Sequence, residues 1–308
     1  MCDIWKDNKN LKQLTEDDVK ELLDAFEEYG TKMVLMSGGE AILNPNFFRL
    51  CELLKSKKIK ITLLSTGLTL KKEAENIVRW IDEVIISLDG PENIHNEIRN
   101  IPSAYIKLKE SVQHIKSIKP GFRITARSVI QSRNFRHWPA IIDSAKEIGL
   151  DQISFLPADV SSSAFNRETA WDDIKKNQVQ LSKEELPEFK KIVESLLQNY
   201  KPDFENKFIV ESPEKIKKIY FYYAAGHRLN EFPYKKCNAP WVSTVIEADG
   251  TVRHCFFHEA IGNIHTDSLQ TILNSENALG FRKNLDMSEN ETCVKCVCYL
   301  NLKPTQML

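Results

Sequence analysis

The chain has 308 residues, 42% of them hydrophobic, and a formal net charge of −1. That length gives room for one large and one small domain, and the near-neutral balance offers no basic field for nucleic acid or an anionic membrane. No apolar run approaches the ~18–20 residues of a membrane span, and the polar start, with Asp3, Lys6, Asp7 and Lys9, is the wrong flank for an export signal.

Thr15 is placed to cap a helix running to about Tyr29, with Val19, Leu22, Leu23 and Phe26 on one face. Met33-Val34-Leu35-Met36 reads as a fully buried strand. Helices are predicted over 46–57, 71–80, 105–118 and 137–148, and strands over 59–64, 84–88, 122–130 and 152–156. Continuous apolar strands alternating with amphipathic helices mean a parallel sheet wrapped by helices, an α/β fold. Residues 158–230 differ. Ser161-Ser162-Ser163 with Phe165, Asn166, Arg167 and Trp171 reads as a long loop. Ser182 and Glu185 form a capping-box pattern ahead of Ile192, Val193, Leu196 and Leu197, and a further helix spans about 213–225. The domain switch is expected near 228–234, dividing the chain into 1–230 and 231–308.

In the last segment Asp249-Gly250 lies between 242–247 and 251–254, a hairpin signature that puts Cys255 at the end of the return strand. Of seven cysteines, five follow residue 236: Cys237, Cys255, Cys293, Cys296 and Cys298. Clustered thiols without an export signal favour metal ligation over disulfides. Four thiolates, from Cys237, Cys255, Cys293 and Cys296, suit either an iron–sulfur cluster or tetrahedral zinc. Cys298 is left as an alternative ligand or a buried thiol. Cys51, beside Phe48 and Leu54 on a helix face, reads as core. His254 and His258 flank Cys255 and read as solvated groups or as supports to a metal site.

Ligands of parallel α/β folds sit at the carboxyl ends of the strands. Three sets of residues fall there. Gly38-Gly39-Glu40 follows the first strand; two glycines permit positive φ and close backbone approach, although a glycine turn at a helix start gives the same pattern. Ser65-Thr66-Gly67 ends the second strand. Ser87 and Asp89 end the third, where a period of two puts both on one face; a plain Asp-Gly-Pro turn explains Asp89 equally. Arg127 lies in an otherwise apolar strand and needs a partner, either a ligand carboxylate or a rim acid.

Taken together, Cys2 with Trp5, Ser37-Gly38-Gly39-Glu40, Ser87-Leu88-Asp89-Gly90 and the terminal cysteine set resemble a radical S-adenosylmethionine (SAM) enzyme with a SPASM/twitch-type auxiliary cluster domain. The resemblance covers nearly the whole chain. It implies a partial (β/α)6 TIM-like barrel whose first strand precedes Cys2, plus a small cysteine-rich domain with a β-hairpin. Cys2 then stands as the last cysteine of a C-x3-C-x2-C loop for a catalytic [4Fe-4S] cluster, and the chain as given is expected to lack the other two ligands and so to be incomplete for activity. The resemblance assigns the amino group of SAM to Gly38, Gly39 and Glu40, and its ribose or carboxylate to Ser65, Thr66, Ser87, Asp89 and Arg127. The usual proline after Glu40 is replaced by Ala41, with Pro45 further on. At the C-terminal cysteines the resemblance favours one auxiliary [4Fe-4S] cluster. The implied activity is hydrogen abstraction by a 5′-deoxyadenosyl radical in a cytoplasmic enzyme fed by a flavodoxin or ferredoxin. The substrate is open among a peptide, a cofactor precursor and a sugar metabolite. Two other readings stand beside it: a noncatalytic iron–sulfur or zinc-binding module, and a SAM-independent barrel enzyme with structural cysteines.

Overall fold

The computed structural model describes residues 12–164, 167 and 170–303. The elements follow in the order α1 (Glu16–Glu28), β1 (Met33–Met36), α2 (Phe47–Ser56), β2 (Lys60–Ser65), α3 (Ala74–Trp80), β3 (Glu83–Ser87), α4 (Glu92–Arg99), α5 (Ala104–Ile118), β4 (Arg123–Ile130), α6 (Trp138–Ile148) and β5 (Gln152–Pro157). These strands form a five-stranded sheet in the order β1-β2-β3-β4-β5. Pairing from β2 to β5 is parallel, with Ile86 opposite Ala126 and Ala126 opposite Ile153. Strand order equals sequence order because each helix carries the chain over to the next strand.

Helices α7 (Asp173–Asn177), α8 (Leu186–Asn199), α9 (Lys201–Glu205) and α10 (Pro213–Gly226) come next. The last part holds α11 (Ala239–Val242), β6 (Val245–Ile246), β7 (Thr251–Arg253), β8 (Ala260–Asn263), α12 (Leu269–Leu273), α13 (Glu276–Asn284) and α14 (Glu291–Lys295). Strands β6, β7 and β8 make a separate antiparallel sheet. No helix among the described residues is long and apolar enough to cross a membrane.

The chain divides into two compact units, one of residues 62–160 and 172–233, the other of 2–61, 161–171 and 234–308. The first has a core of stacked aromatics. Trp138 lies flat on Phe189 at 5.8 Å and against Phe155 at 5.2 Å, and Tyr223 meets Phe189 edge-on at 5.9 Å. The Tyr223 hydroxyl donates to the Ile130 carbonyl and accepts from the Ala158 amide, so the buried phenol stitches α10 to the ends of β4 and β5. In the second unit α1 packs Leu22 and Ala25 onto Val252, Leu269 and Ile272 of the small sheet and α12. Thr15 caps α1 in a full capping box with Asp18, and at its other end Glu28 and Tyr29 accept from Gln270 and Asn274.

Most predicted elements fall within three residues of their predicted limits. Four others differ in kind. The strand at 33–36 is not fully buried: β1 comes first in the sheet order, and Met33 and Leu35 stay 38% and 45% exposed. Helix α4 replaces the plain turn read at Asp89-Gly90-Pro91; Pro91 stands at its N-cap position and Glu92 opens its first turn. The helix after Ser182 begins only at Leu186; Glu185 still reaches back to the Ser182 amide at 2.8 Å, but the capping turn precedes the helix proper. The hairpin gains a third strand, β8. There Gly250 is obligatory: its φ is +83°, and a Cβ would stand 2.7 Å from the His265 ring and 2.8 Å from the Asn263 side chain.

Candidate functional site: a cysteine-lined cavity and the strand-end polar groups

The cysteine-lined cavity is built by short elements that converge from distant sequence. Asn238 accepts from the Leu302 amide at 3.0 Å, donates to its carbonyl at 2.7 Å, and donates its own amide to Leu300 at 2.7 Å. That clamp holds Cys237 beside the chain's last segment. Asn290 caps α14 by accepting from the Cys293 amide, and the turn after α14 presents Cys296. Cys255 arrives from β7. As a result Cys237, Cys255, Cys293, Cys296 and Cys298 line one cavity, with Pro240, Phe257, Leu285 and Met287 as its apolar wall. All five are free thiols. Burial is the largest cause, and the neighbouring thiols a smaller one, raising the pKa of Cys255 and bringing Cys293 to about 11 and Cys296 to about 12. Thiols that feel one another's charge in an apolar wall favour bound cationic iron, which stabilises the thiolate form. This donor set therefore fits a cysteine-ligated cluster, although among the described residues no three His, Cys, Asp or Glu side chains stand close enough to hold a single metal ion.

Cys298 is exposed, so it is not the buried thiol allowed by the sequence; its carbonyl accepts from the Cys296 thiol at 3.0 Å. Cys51 is fully buried core, its thiol pushed up to about 12 by burial. His254 is not solvated. It is 1% exposed, lies flat on Phe281 at 4.7 Å, and burial lowers its pKa to about 4. His258 places its Nε2 3.4 Å from the Cys293 sulfur. Cys2, Trp5, Phe165 and Asn166 lie outside the described residues. Arg167 and Trp171 are both buried and face each other, with the guanidinium 4.0 Å from the indole centroid.

In the same unit, Gly38 has φ +142°, a backbone state that a side chain rarely adopts, whereas Gly39 does not. Glu40 follows in extended conformation and opens a single 3-10 turn at Ala41–Leu43. Asn44 and Asn46 then lead into α2, with Asn44 donating to the Leu14 carbonyl at 2.9 Å.

In the other unit Ser87, Arg127 and Ser154 are register partners across β3, β4 and β5 and so share a sheet face. Arg127 makes one long contact, Nε to the Ser154 hydroxyl at 3.5 Å, and its charge bears on Glu211. Glu211 is buried, accepts from the Phe155 amide at 2.9 Å and lies 3.5 Å from Lys215; burial still raises its pKa. Glu211 is brought to β5 by residues 208–210 pairing in parallel with Ile153, and it feels the Arg127 charge. Ser65 accepts from the Gly67 amide at 3.0 Å and Thr66 from the Leu68 amide at 3.5 Å. Asp89 is fully buried. Its Oδ2 accepts from Arg99 Nε at 2.6 Å, its amide donates to His95 Nδ1 at 3.2 Å, and Asn134 donates to its carbonyl at 2.9 Å. Only Oδ1 of the carboxylate has no hydrogen-bond partner. Two of the three Asp89 partners, His95 and Arg99, sit on α4, the helix hidden by the turn signal.

Two family models match this chain. The radical SAM superfamily model covers residues 1–129, and the iron–sulfur cluster-binding SPASM domain model covers residues 237–297, which contains four of the five cavity cysteines. Residues 1–129 are therefore a radical SAM segment and residues 237–297 an iron–sulfur cluster-binding segment. The cofactors of this chain are those of the family, [4Fe-4S] clusters and SAM. Among curated proteins it is 23% identical over 140 residues to an AdoMet-dependent heme synthase of Methanosarcina barkeri, a stretch covering 44% of this chain and 40% of that one. It is 25% identical over 151 residues to a probable GTP 3′,8-cyclase of Methanococcus maripaludis, covering 47% and 50%. The match therefore spans half or less of these curated relatives. The fold resembles solved structures of native anSMEcpe with bound AdoMet (TM-score 0.63, 20% identity, 92% of this chain and 79% of that) and of Streptococcus suis SuiB bound to precursor peptide SuiA (TM-score 0.61, 14% identity, 93% and 64%).

Proposed function

We propose that this radical SAM protein is an oxidoreductase or transferase-type enzyme that abstracts a hydrogen atom from its substrate and uses one auxiliary [4Fe-4S] cluster. The observation that carries the proposal is the convergence of five cysteines on one apolar cavity within a matched SPASM segment. When bound, SAM and its cluster would supply 5′-deoxyadenosyl radical chemistry. The chain's own residues bind and orient. Cys237, Cys255, Cys293 and Cys296 would hold the auxiliary cluster, with Cys298 as the exchangeable neighbour. Gly38, Gly39 and Glu40 take the amino group of SAM, while Ser65, Thr66, Ser87 and Arg127 take its ribose and carboxylate. Arg127 suits a carboxylate because Nε has one long neutral contact and the guanidinium fork remains available for bidentate pairing. Asp89 acts through its remaining oxygen or by fixing the end of β3. In this reading residues 1–230 form the partial (β/α)6 barrel and 231–308 the cluster domain. A cytoplasmic setting with a flavodoxin or ferredoxin as electron donor completes it.

The substrate class favoured is a peptide, since SuiB, to which the fold is similar over 93% of this chain, is bound to a precursor peptide. The test uses the protein isolated anaerobically from its native cells. With dithionite and SAM it should form 5′-deoxyadenosine, and formation should fall at least tenfold in Glu40→Gln. No 5′-deoxyadenosine from iron-loaded wild-type protein overturns the proposal.

A further inference from the structure

The cavity is lined by sulfur and hydrocarbon, yet one ring nitrogen reaches into it. His258 Nε2 stands 3.4 Å from the Cys293 sulfur. The residue is held by its backbone on two sides and by its ring on a third. Arg253 donates to the His258 carbonyl at 3.0 Å while its Nε is fixed 2.8 Å from Glu247. The His258 amide donates to the Cys255 carbonyl at 3.3 Å. The ring edge rests on Phe281 at 4.8 Å and 68°, and Phe281 is itself stacked flat on buried His254. A flexible surface histidine has no such frame. The frame spends an ion pair, a stacked aromatic pair and a turn on one imidazole.

With a protonated thiol, either Cys293 or the ring can donate in this contact. With a metal-bound thiolate, only the ring N–H can. We propose that His258 is a positioning residue that donates an N–H···S hydrogen bond to the Cys293 thiolate and thereby raises the reduction potential of the auxiliary cluster. This inference rests on the cluster assignment above. The physical basis is general: a reduced cluster carries more negative charge on its sulfurs, so a donor aimed at one sulfur stabilises the reduced form, and hydrogen bonds to sulfur are among the groups that set cluster potentials. It also gives the cavity a graded element that the cysteines alone lack.

The experiment compares wild-type protein, His258→Leu and His258→Gln, all isolated anaerobically. Three quantities are read: iron and sulfide per chain, the midpoint potential of the cluster whose signal SAM does not shift, and 14N couplings in the pulsed EPR of its reduced state. All three proteins should carry equal iron. His258→Leu should shift to lower potential and lose a 14N coupling, and His258→Gln, which keeps an N–H donor, should return most of the potential. Equal potentials in wild type and His258→Leu at equal iron overturn the inference. Iron loss in both variants overturns it too, because His258 would then be a ligand. Wild-type protein that takes up no iron at the cavity cysteines overturns the cluster reading itself, and with it the inference.

Discussion

The strand ends of one unit and the cysteine cavity of the other solve opposite problems. At the ends of β2 and β3 the polar groups are already answered within the protein. Ser65 and Thr66 close their own turn, and Asp89 is bonded by Arg99, His95 and Asn134. In the cavity burial, and after it the neighbouring thiols, drive Cys293 and Cys296 to about 11 and about 12. A set of thiols that raise one another's proton affinity is completed by a cation, whereas the strand-end groups keep their own partners and offer a ligand what remains, such as Asp89 Oδ1. The comparison therefore separates residues that need a cofactor from residues that shape the rim around one.

The largest effect should come from the cavity. Replacing Cys255 and Cys293 together by alanine removes two of four proposed ligands, and the auxiliary site should lose its whole complement of about four irons and four sulfides. Iron analysis by ICP-MS against wild type checks this. Because Cys51 is core and absent from the cavity, Cys51→Ala should leave the iron count unchanged. Equal iron in the double variant breaks the comparison at its stronger end.

Next in size is the rim. Removing Arg99 leaves the Asp89 carboxylate, 1% exposed, without its ion-pair partner. Breaking a buried pair from one side costs about 3–5 kcal/mol. Arg99 keeps 25% of its side chain in water, so the low end, about 3 kcal/mol, is expected for Arg99→Met by urea denaturation. Asp89→Asn combined with Arg99→Met should restore part of the loss, because the unpaired charge is then gone. A loss under about 1 kcal/mol for Arg99→Met would place it among ordinary exposed pairs and reassign Asp89 to a ligand.

What was legible in the sequence follows the range of the interactions. The helix starting after Thr15 announces itself through a cap and a face within one turn. The cysteine set was legible by residue type alone, since few other roles cluster thiols late in a chain. His258 was flagged only as a neighbour of Cys255; its approach to Cys293 depends on a contact 35 residues away. The position of Glu211 was harder still. It reaches the Phe155 amide on β5 through a strand-like pairing of residues 208–210 with Ile153 that has no repeat or turn signal to mark it. Helix α4 was hidden because Asp-Gly-Pro is a turn signal in its own right. Pro91 at the N-cap position and Glu92 in the first turn were the available clues.

The smallest effect sharpens the rim further, through pH. His95 is 1% exposed, and burial is the largest cause holding its pKa down to about 4; Arg99 lowers it as well, and the Asp89 carboxylate works the other way. Its unfolded value is near 6.5. Between these values the unfolded chain binds a proton that the folded chain does not, so unfolding becomes easier as pH falls. The contribution is fully present above pH 6.5 and is lost progressively as pH drops toward 4. Over the first unit, from pH 6.5 to 5.5, it amounts to about 1 kcal/mol, since a full unit of differential binding is worth about 1.4. His95→Gln removes the titrating group while keeping an amide near the Asp89 backbone. Denaturation at pH 6.5 and 5.5 should show wild type losing about 1 kcal/mol more than the variant across that step. A variant with the same pH slope as wild type would mean that His95 takes up its proton in the folded state, and that the rim around Asp89 is open to water rather than closed.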